Sequence, residues 1–203
     1  LQQIQYVTIE LKHIYRQQDE AFIEVLGKIR NNRIDDGVLR SLNARYVADF
    51  VPPKEEDWIR LTTHNRKADS YNEANLRSLA TPSFHYRAVI EKNFPEYAYP
   101  TSVDLELKVG AQVMFVRNDP TGGHSYYNGR IGRVSHADQD KVVVRCADDG
   151  SEVEVEPVVW ENMRYTLNDA THELESTVEG TFSQYPLRLA WAITIHKSQG
   201  LTF

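Results

Sequence analysis

Two short stretches hold side chains suited to the same kind of chemistry. Residues 194–200 read Thr-Ile-His-Lys-Ser-Gln-Gly. Thr194 and Ser198 offer hydroxyls, His196 an imidazole, Lys197 an ammonium and Gln199 a carboxamide, while Gly200 lets backbone approach a ligand closely. Donors of several geometries beside a glycine fit a phosphate-rich ligand. Residues 61–68, Leu-Thr-Thr-His-Asn-Arg-Lys-Ala, place Thr63, His64 and Asn65 where a predicted strand gives way to a predicted helix. Such a helix start has free N–H groups and the positive end of the dipole, a natural anion site. The plainer reading is that Asn65 or Thr63 caps the helix, and one residue can do both.

The elements that must hold these groups follow from hydrophobic patterning. The apolar run 187–195, broken only by Arg188 and Thr194, reads as one strand inside a covered sheet. Its polar sequel then lies at the carboxyl end, where open α/β sheets bind ligands. A strand at 58–63 followed by a helix at about 66–79 repeats the arrangement, with Ala68, Tyr71, Leu76 and Leu79 facing inward. Nearer the start, loose alternation at 4–9 predicts a strand. Phe22, Val25, Leu26 and Ile29 predict a helix with Asp19 as its cap, and a short helix follows around 38–43. From residue 81 the pattern changes to alternating segments at 84–90, 105–109, 111–116, 130–134, 141–146 and 152–159. Turn signals such as Asn128-Gly129 and Asp148-Asp149-Gly150 separate several of them. Short strands at this spacing predict a small all-β barrel.

Composition narrows the classes further. The chain has 203 residues, 41% hydrophobic and 26% charged, with a formal net charge of −6. It is long enough for one sizeable domain or two small ones. No apolar run is long enough to span a membrane, and no signal pattern opens the chain. The single cysteine, Cys146, excludes an internal disulfide and suits a reducing cytoplasm. The acidic balance argues against a generally basic nucleic-acid binder but not against a local phosphate channel. None of the seven histidines stands in a metal-ligand spacing, so no metal site is predicted. Tyr97, Tyr99, Tyr126 and Tyr127 fit core or loop packing better than stacking on bases. In 152–156 the valines are expected inward and the glutamates solvated.

Thr194-Ile-His-Lys-Ser-Gln-Gly200, preceded by Leu189-Ala-Trp-Ala192, resembles motif V of superfamily 1 helicases of the RecD-like and Pif-like branch. Leu11 with Ile14-Tyr-Arg-Gln17 resembles motif IV, and 61–68 resembles the segment often called IVa. Residues 107–118 and 127–134 resemble the Src-homology-3-like barrel inserted in the second motor domain. The resemblance implies an α/β fold: a partial RecA-like, P-loop NTPase-type domain interrupted by that barrel. Residues 1–80 would begin the motor domain, 81–180 would form the β-rich insertion with its barrel at about 105–160, and 181–203 would return to the motor domain.

By the same resemblance the intact protein is a cytoplasmic, ATP-dependent helicase stepping 5′ to 3′ along single-stranded DNA. Arg16 takes the catalytic role of an arginine finger at the ATP γ-phosphate, a fixed charged fork on the transferred group. Read by itself, Tyr15-Arg16-Gln17 favours the plainer role of a helix-entry arginine in a surface ion pair. The resemblance puts Gln199 and Gly200 with Arg16 at the nucleotide. It puts Thr63, His64, Asn65, Thr194, His196, Lys197 and Ser198 on the DNA backbone. The chain has no phosphate loop; it lacks an initiator Met and stops before the family's last arginine motif. ATP and Mg2+ would therefore be held mainly elsewhere in the intact protein, and this part alone would turn over no ATP. The alternative is a non-catalytic DNA- or protein-binding module that uses the barrel as an interaction domain.

Overall fold

An aspartate starts each of the two helices described in the first unit of the chain, Leu1–Val51. Helix α1 (Glu20–Arg30) begins where Asp19 accepts from the Phe22 N–H at 3.1 Å. Helix α2 (Asp36–Asn43) begins where Asp35 accepts from the Val38 N–H at 2.8 Å. Each carboxylate satisfies one orphan donor of the first turn. Lys28 bridges Glu24 and Asp35, both at 3.1 Å. The computed structural model describes residues 7–9, 19–53, 56–168 and 173–199. Most of the strand expected at 4–9, and Arg16, lie outside these residues; 7–9 are not in a strand. The expected apolar stripe of α1 forms no core, because Phe22, Leu26 and Ile29 remain exposed.

The second unit, Pro52–Phe203, carries the rest. Strand β1 (Arg60–Thr62) leads into helix α3 (Asn65–Ser78). Then come β2 (Ser83–Arg87), β3 (Val89–Lys92), a 3-10 turn at Glu96–Ala98, β4 (Asp104–Lys108), β5 (Gln112–Phe115), β6 (Ile131–Ala137), β7 (Val142–Cys146) and β8 (Glu152–Val155). A long hairpin of β9 (Val158–Leu167) and β10 (Leu174–Gln184) precedes β11 (Leu187–Leu189), β12 (Ala192–Thr194) and the single turn α4 (Ile195–Ser198).

Four sheets result. β11-β5-β6-β7-β8 form a five-stranded antiparallel sheet, β3-β10-β9 a three-stranded one, β2-β4 an antiparallel pair and β1-β12 a parallel pair. The interior strand β5 is buried along its whole length. Its alternation sends Val113 and Phe115 into a large core with Leu105, Leu107, Val144 and Leu187, and Met114 into a smaller one with Ala190 and Ile193. One strand thus serves two cores. β6 lies close on β7 only because residue 132 is glycine; a Cβ there would stand 2.5 Å from the Arg145 carbonyl oxygen. β8 behaves as expected, with Val153 and Val155 buried and Glu152 and Glu154 exposed.

The structure departs from the sequence expectations in several places, and the segment expected at 84–90 is two strands, β2 and β3, in different sheets. The run 187–195 is not one strand. β11 pairs antiparallel with β5 and β12 parallel with β1, with a bend at Ala190 and Trp191 between them. The segment expected at 152–159 is two strands, separated by Glu156 and Pro157. The β9–β10 hairpin was invisible to periodicity because it buries little: of β9 only Val158 is buried.

Candidate nucleic-acid interface

The parallel pair brings the two chemistry-bearing stretches together. Arg60, Leu61 and Thr62 stand opposite Ala192, Ile193 and Thr194, so both strands end side by side. Each is followed at once by a helix. The carboxyl ends of neighbouring parallel strands are where an α/β sheet presents ligand groups.

On the β1 side, His64 is the N-cap of α3, extended at φ −132° and ψ 138°, with no side-chain capping bond. Neither Asn65 nor Thr63 caps the helix. The Thr63 hydroxyl lies 2.7 Å from His64 Nδ1, and the Thr62 hydroxyl donates to the His64 carbonyl at 3.2 Å. Thr63, His64 and Asn65 are all exposed. The first turn of α3 contains no acidic residue but holds Arg66 and Lys67, both exposed. Cations there oppose the helix dipole, a cost of about 0.3–1 kcal/mol each. A local rule broken at a candidate site is the expected mark of a ligand, here an anion. Sequence patterning passed over Arg66 and Lys67; the signal was available in the sign of that first turn.

On the β12 side, His196, Lys197 and Gln199 are exposed and Ser198 is half-buried. Ser198 spends its hydroxyl donating to the Ile195 carbonyl at 2.7 Å. Thr194 is only 5% exposed and reaches solvent through a cleft of about 460 Å³ that Asn65, Arg188 and Lys197 also line. Desolvation pushes the Lys197 pKa below the ordinary lysine value, Arg188 pushes it further, and Asp69 opposes. Burial likewise lowers the Arg188 pKa, and its guanidinium donates to the carbonyls of Pro100 at 2.8 Å and Tyr99 at 3.3 Å. Asp69, Asp104 and Glu106 line the same cleft. Their carboxylates oppose an anion there, whereas 63–67 and 196–197 hold cations and neutral donors and no carboxylate.

Arg16 and Gly200 lie outside the described residues. Gln199 is exposed at the C-cap of α4. Among the aromatics, Tyr126 is buried and stacks on Phe115 at 4.4 Å, and Tyr99 packs on Phe182 at 5.0 Å. Tyr97 and Tyr127 are exposed. Cys146, Asp148 and Asp149 form one cluster with metal-ligand atoms close together. Buried Arg130 occupies both carboxylates, at 2.8 Å to Asp148 and 2.7 Å to Asp149. That arrangement is an ion-pair clasp across a turn.

No protein-family profile matches the chain. It is 32% identical over 202 residues to the ATP-dependent DNA helicase Pif1 of Bdellovibrio bacteriovorus, covering 97% of this chain and 43% of that protein. It is 34% identical over 208 residues to the human ATP-dependent DNA helicase PIF1, covering 97% of this chain and 30% of that one. Its fold is similar to the crystal structure of Bacteroides sp. Pif1 in complex with ADP-AlF4, with a TM-score of 0.82 and 37% identity over 94% of this chain and 43% of that one. The Bacteroides Pif1 structure bound to ssDNA matches with a TM-score of 0.65 and 38% identity over 96% and 44%. The chain therefore spans less than half the length of these relatives. On sequence and fold together, the chain belongs to the Pif1 family of superfamily 1 helicases.

Proposed function

We propose that the intact protein is an ATP-driven DNA helicase that moves 5′ to 3′ along single-stranded DNA, and that this chain supplies the strand-contacting edge of its second RecA-like motor domain. The observation that carries the reading is the register of Thr62 against Thr194, which sets Thr63, His64 and Asn65 beside His196, Lys197 and Ser198. The names of the relatives support it: they are ATP-dependent DNA helicases, and one Bacteroides Pif1 structure holds ssDNA. In this reading 1–80 and 181–203 belong to the motor domain and 81–180 is an insertion. The antiparallel succession β5 to β8 supports a Src-homology-3-like barrel at about 105–160.

ATP and Mg2+ are held mainly by parts of the protein outside this chain, which alone turns over no ATP. In this reading Arg16 has the role of placing a planar, permanent charge on the transferred phosphoryl group, and Gln199 and Gly200 have the role of binding nucleotide. Arg16→Lys keeps the charge and loses the fork. Turnover by the full-length protein is expected to fall by up to about 10³-fold, the lower end for finger arginines, with DNA affinity unchanged. Wild-type turnover would make Arg16 a surface residue.

The edge contacts phosphate and sugar, which position a strand without reading its sequence. Strand displacement by the full-length protein on tailed duplexes tests the whole proposal. ATP-dependent displacement is expected with a 5′ tail and not with a 3′ tail. Displacement only from the 3′ tail would overturn the direction, and binding without displacement or turnover would overturn the motor.

A further inference from the structure

Two buried carboxamides stand where the chain passes from one sheet to the other. Asn72, 7% exposed, lies on the inner face of α3 between Ala68 and Leu76. Its Nδ2 donates to the Ala192 carbonyl at 2.8 Å, and its Oδ1 accepts from the Ala192 N–H, also at 2.8 Å. A longer contact of 3.4 Å reaches the Leu189 carbonyl. One side chain therefore satisfies both backbone polar groups of the first residue of β12 and touches the last residue of β11.

Gln112 on β5 is 1% exposed. Its Nε2 donates to the Ala190 carbonyl at 3.1 Å and to the Trp58 carbonyl at 3.0 Å. Its own backbone carbonyl accepts from the Ala190 N–H at 2.9 Å. On the far side of the bend, the Trp191 carbonyl accepts from the Arg60 N–H at 2.9 Å. Gln112 thus ties the five-stranded sheet, the bend and the approach to β1 at one point.

An amide buried among apolar residues is expensive unless every bond is made, and it then specifies a unique arrangement. Packing supplies only part of that specification. Trp191 and Ile193 pack into the two cores, but Ala190, Ala192 and Met114 around them are small or adaptable side chains that define the register weakly. A one-residue slip would turn Thr194 and the groups after it to the opposite face.

We infer that Asn72 and Gln112 are positioning residues for the DNA-contacting edge, holding β12 in register with β1 so that Lys197 and Thr63 address the same strand. The inference rests on the proposed DNA role of that edge, and it adds that the edge is set from inside by two side chains that never touch DNA.

A double-mutant cycle in the full-length protein tests it. Asn72→Ala, Gln112→Ala and Lys197→Ala, with each of the first two combined with the third, are compared for single-stranded DNA affinity over a salt series, with melting temperature followed in parallel. Each clamp variant should bind about tenfold more weakly while still folded. In either background Lys197→Ala should cost little further, a non-additivity of about fivefold or more. Asn72→Ser and Gln112→Met, which keeps the length of the side chain but removes its donors, provide a second pair if an alanine variant fails to fold. A merely structural role would lower the melting temperature but leave the Lys197→Ala loss at full size, and that result overturns the clamp. If Lys197→Ala costs nothing even in the otherwise wild-type protein, the DNA reading of the edge fails, and the clamp falls with it.

Discussion

β11 and β12 come from a single apolar run of the sequence and finish in different sheets with different duties. β11 pairs with β5 at the heart of the β-rich region, where Leu187 is fully buried and Arg188 turns its guanidinium onto backbone carbonyls. β12 is buried at all three residues but pairs with β1, and the residues after it open to solvent. Hydrophobicity does not separate the two, since both bury their apolar side chains. The difference lies in where the backbone polar groups go: the Ala190 N–H to β5, the Trp191 carbonyl to β1. Backbone accounting of this kind decides sheet membership when burial is a tie. β11 belongs to a buried scaffold; β12 leads to an edge where His196, Lys197 and Gln199 are exposed.

The largest expected effect falls on the scaffold alone. Phe115 is fully buried and stacked on Tyr126, so Phe115→Ala should cost about 3–5 kcal/mol of stability in a urea titration. The salt dependence of DNA binding by the protein that remains folded should not change. A fall in that dependence together with stability would erase the distinction between the two regions.

Acid should also act on the scaffold first. Asp119 accepts from the Thr121 hydroxyl at 2.6 Å and from the N–H groups of Thr121 and Ser125 at 2.8 and 2.9 Å, and these bonds pull its pKa down to about 2. Ser151, and then Arg130, hold Asp149 at about 2 as well. Both pKa values lie below the ordinary carboxylate value of 3.8, so the stabilisation is complete above that pH and is lost as the pH falls toward 2. Asp119→Asn and Asp149→Asn should flatten the stability profile in that window. An unchanged profile would mean that these turns contribute nothing to acid stability.

A smaller effect belongs to the edge. Thr63→Ala removes one neutral donor and should weaken single-stranded DNA binding about fivefold, equally on unrelated sequences and with no change in salt slope. Loss on one sequence only would indicate base readout.

Much of this division was legible in the sequence. Thr63, His64, Asn65 and the 194–200 stretch stood out by residue type and position, and the strands before them do lie side by side, with Thr62 in register with Thr194. Asp19 could be read as a cap, and the short β strands from their turns. The clamp was not legible. Asn72 and Gln112 interrupt apolar patterns at single positions, and pattern reading discounts a lone polar residue on a buried face. Nor was the β9–β10 hairpin, whose strands are mostly exposed and alternate in burial only at the end, at Gly180, Phe182 and Gln184. The bend at Ala190 depends on hydrogen bonds to Gln112 and Arg60, far away in sequence, which no local window contains.

The most direct test of the central claim is the salt dependence of single-stranded DNA binding by the full-length protein and its Lys197→Ala variant, measured on two unrelated oligonucleotides. If the edge after β12 meets the DNA backbone, the variant should bind both more weakly by the same factor, and its salt slope should be smaller by about 0.7, one phosphate contact on a single strand. An unchanged slope with unchanged affinity would contradict the account and leave the edge a structural terminus of its sheet.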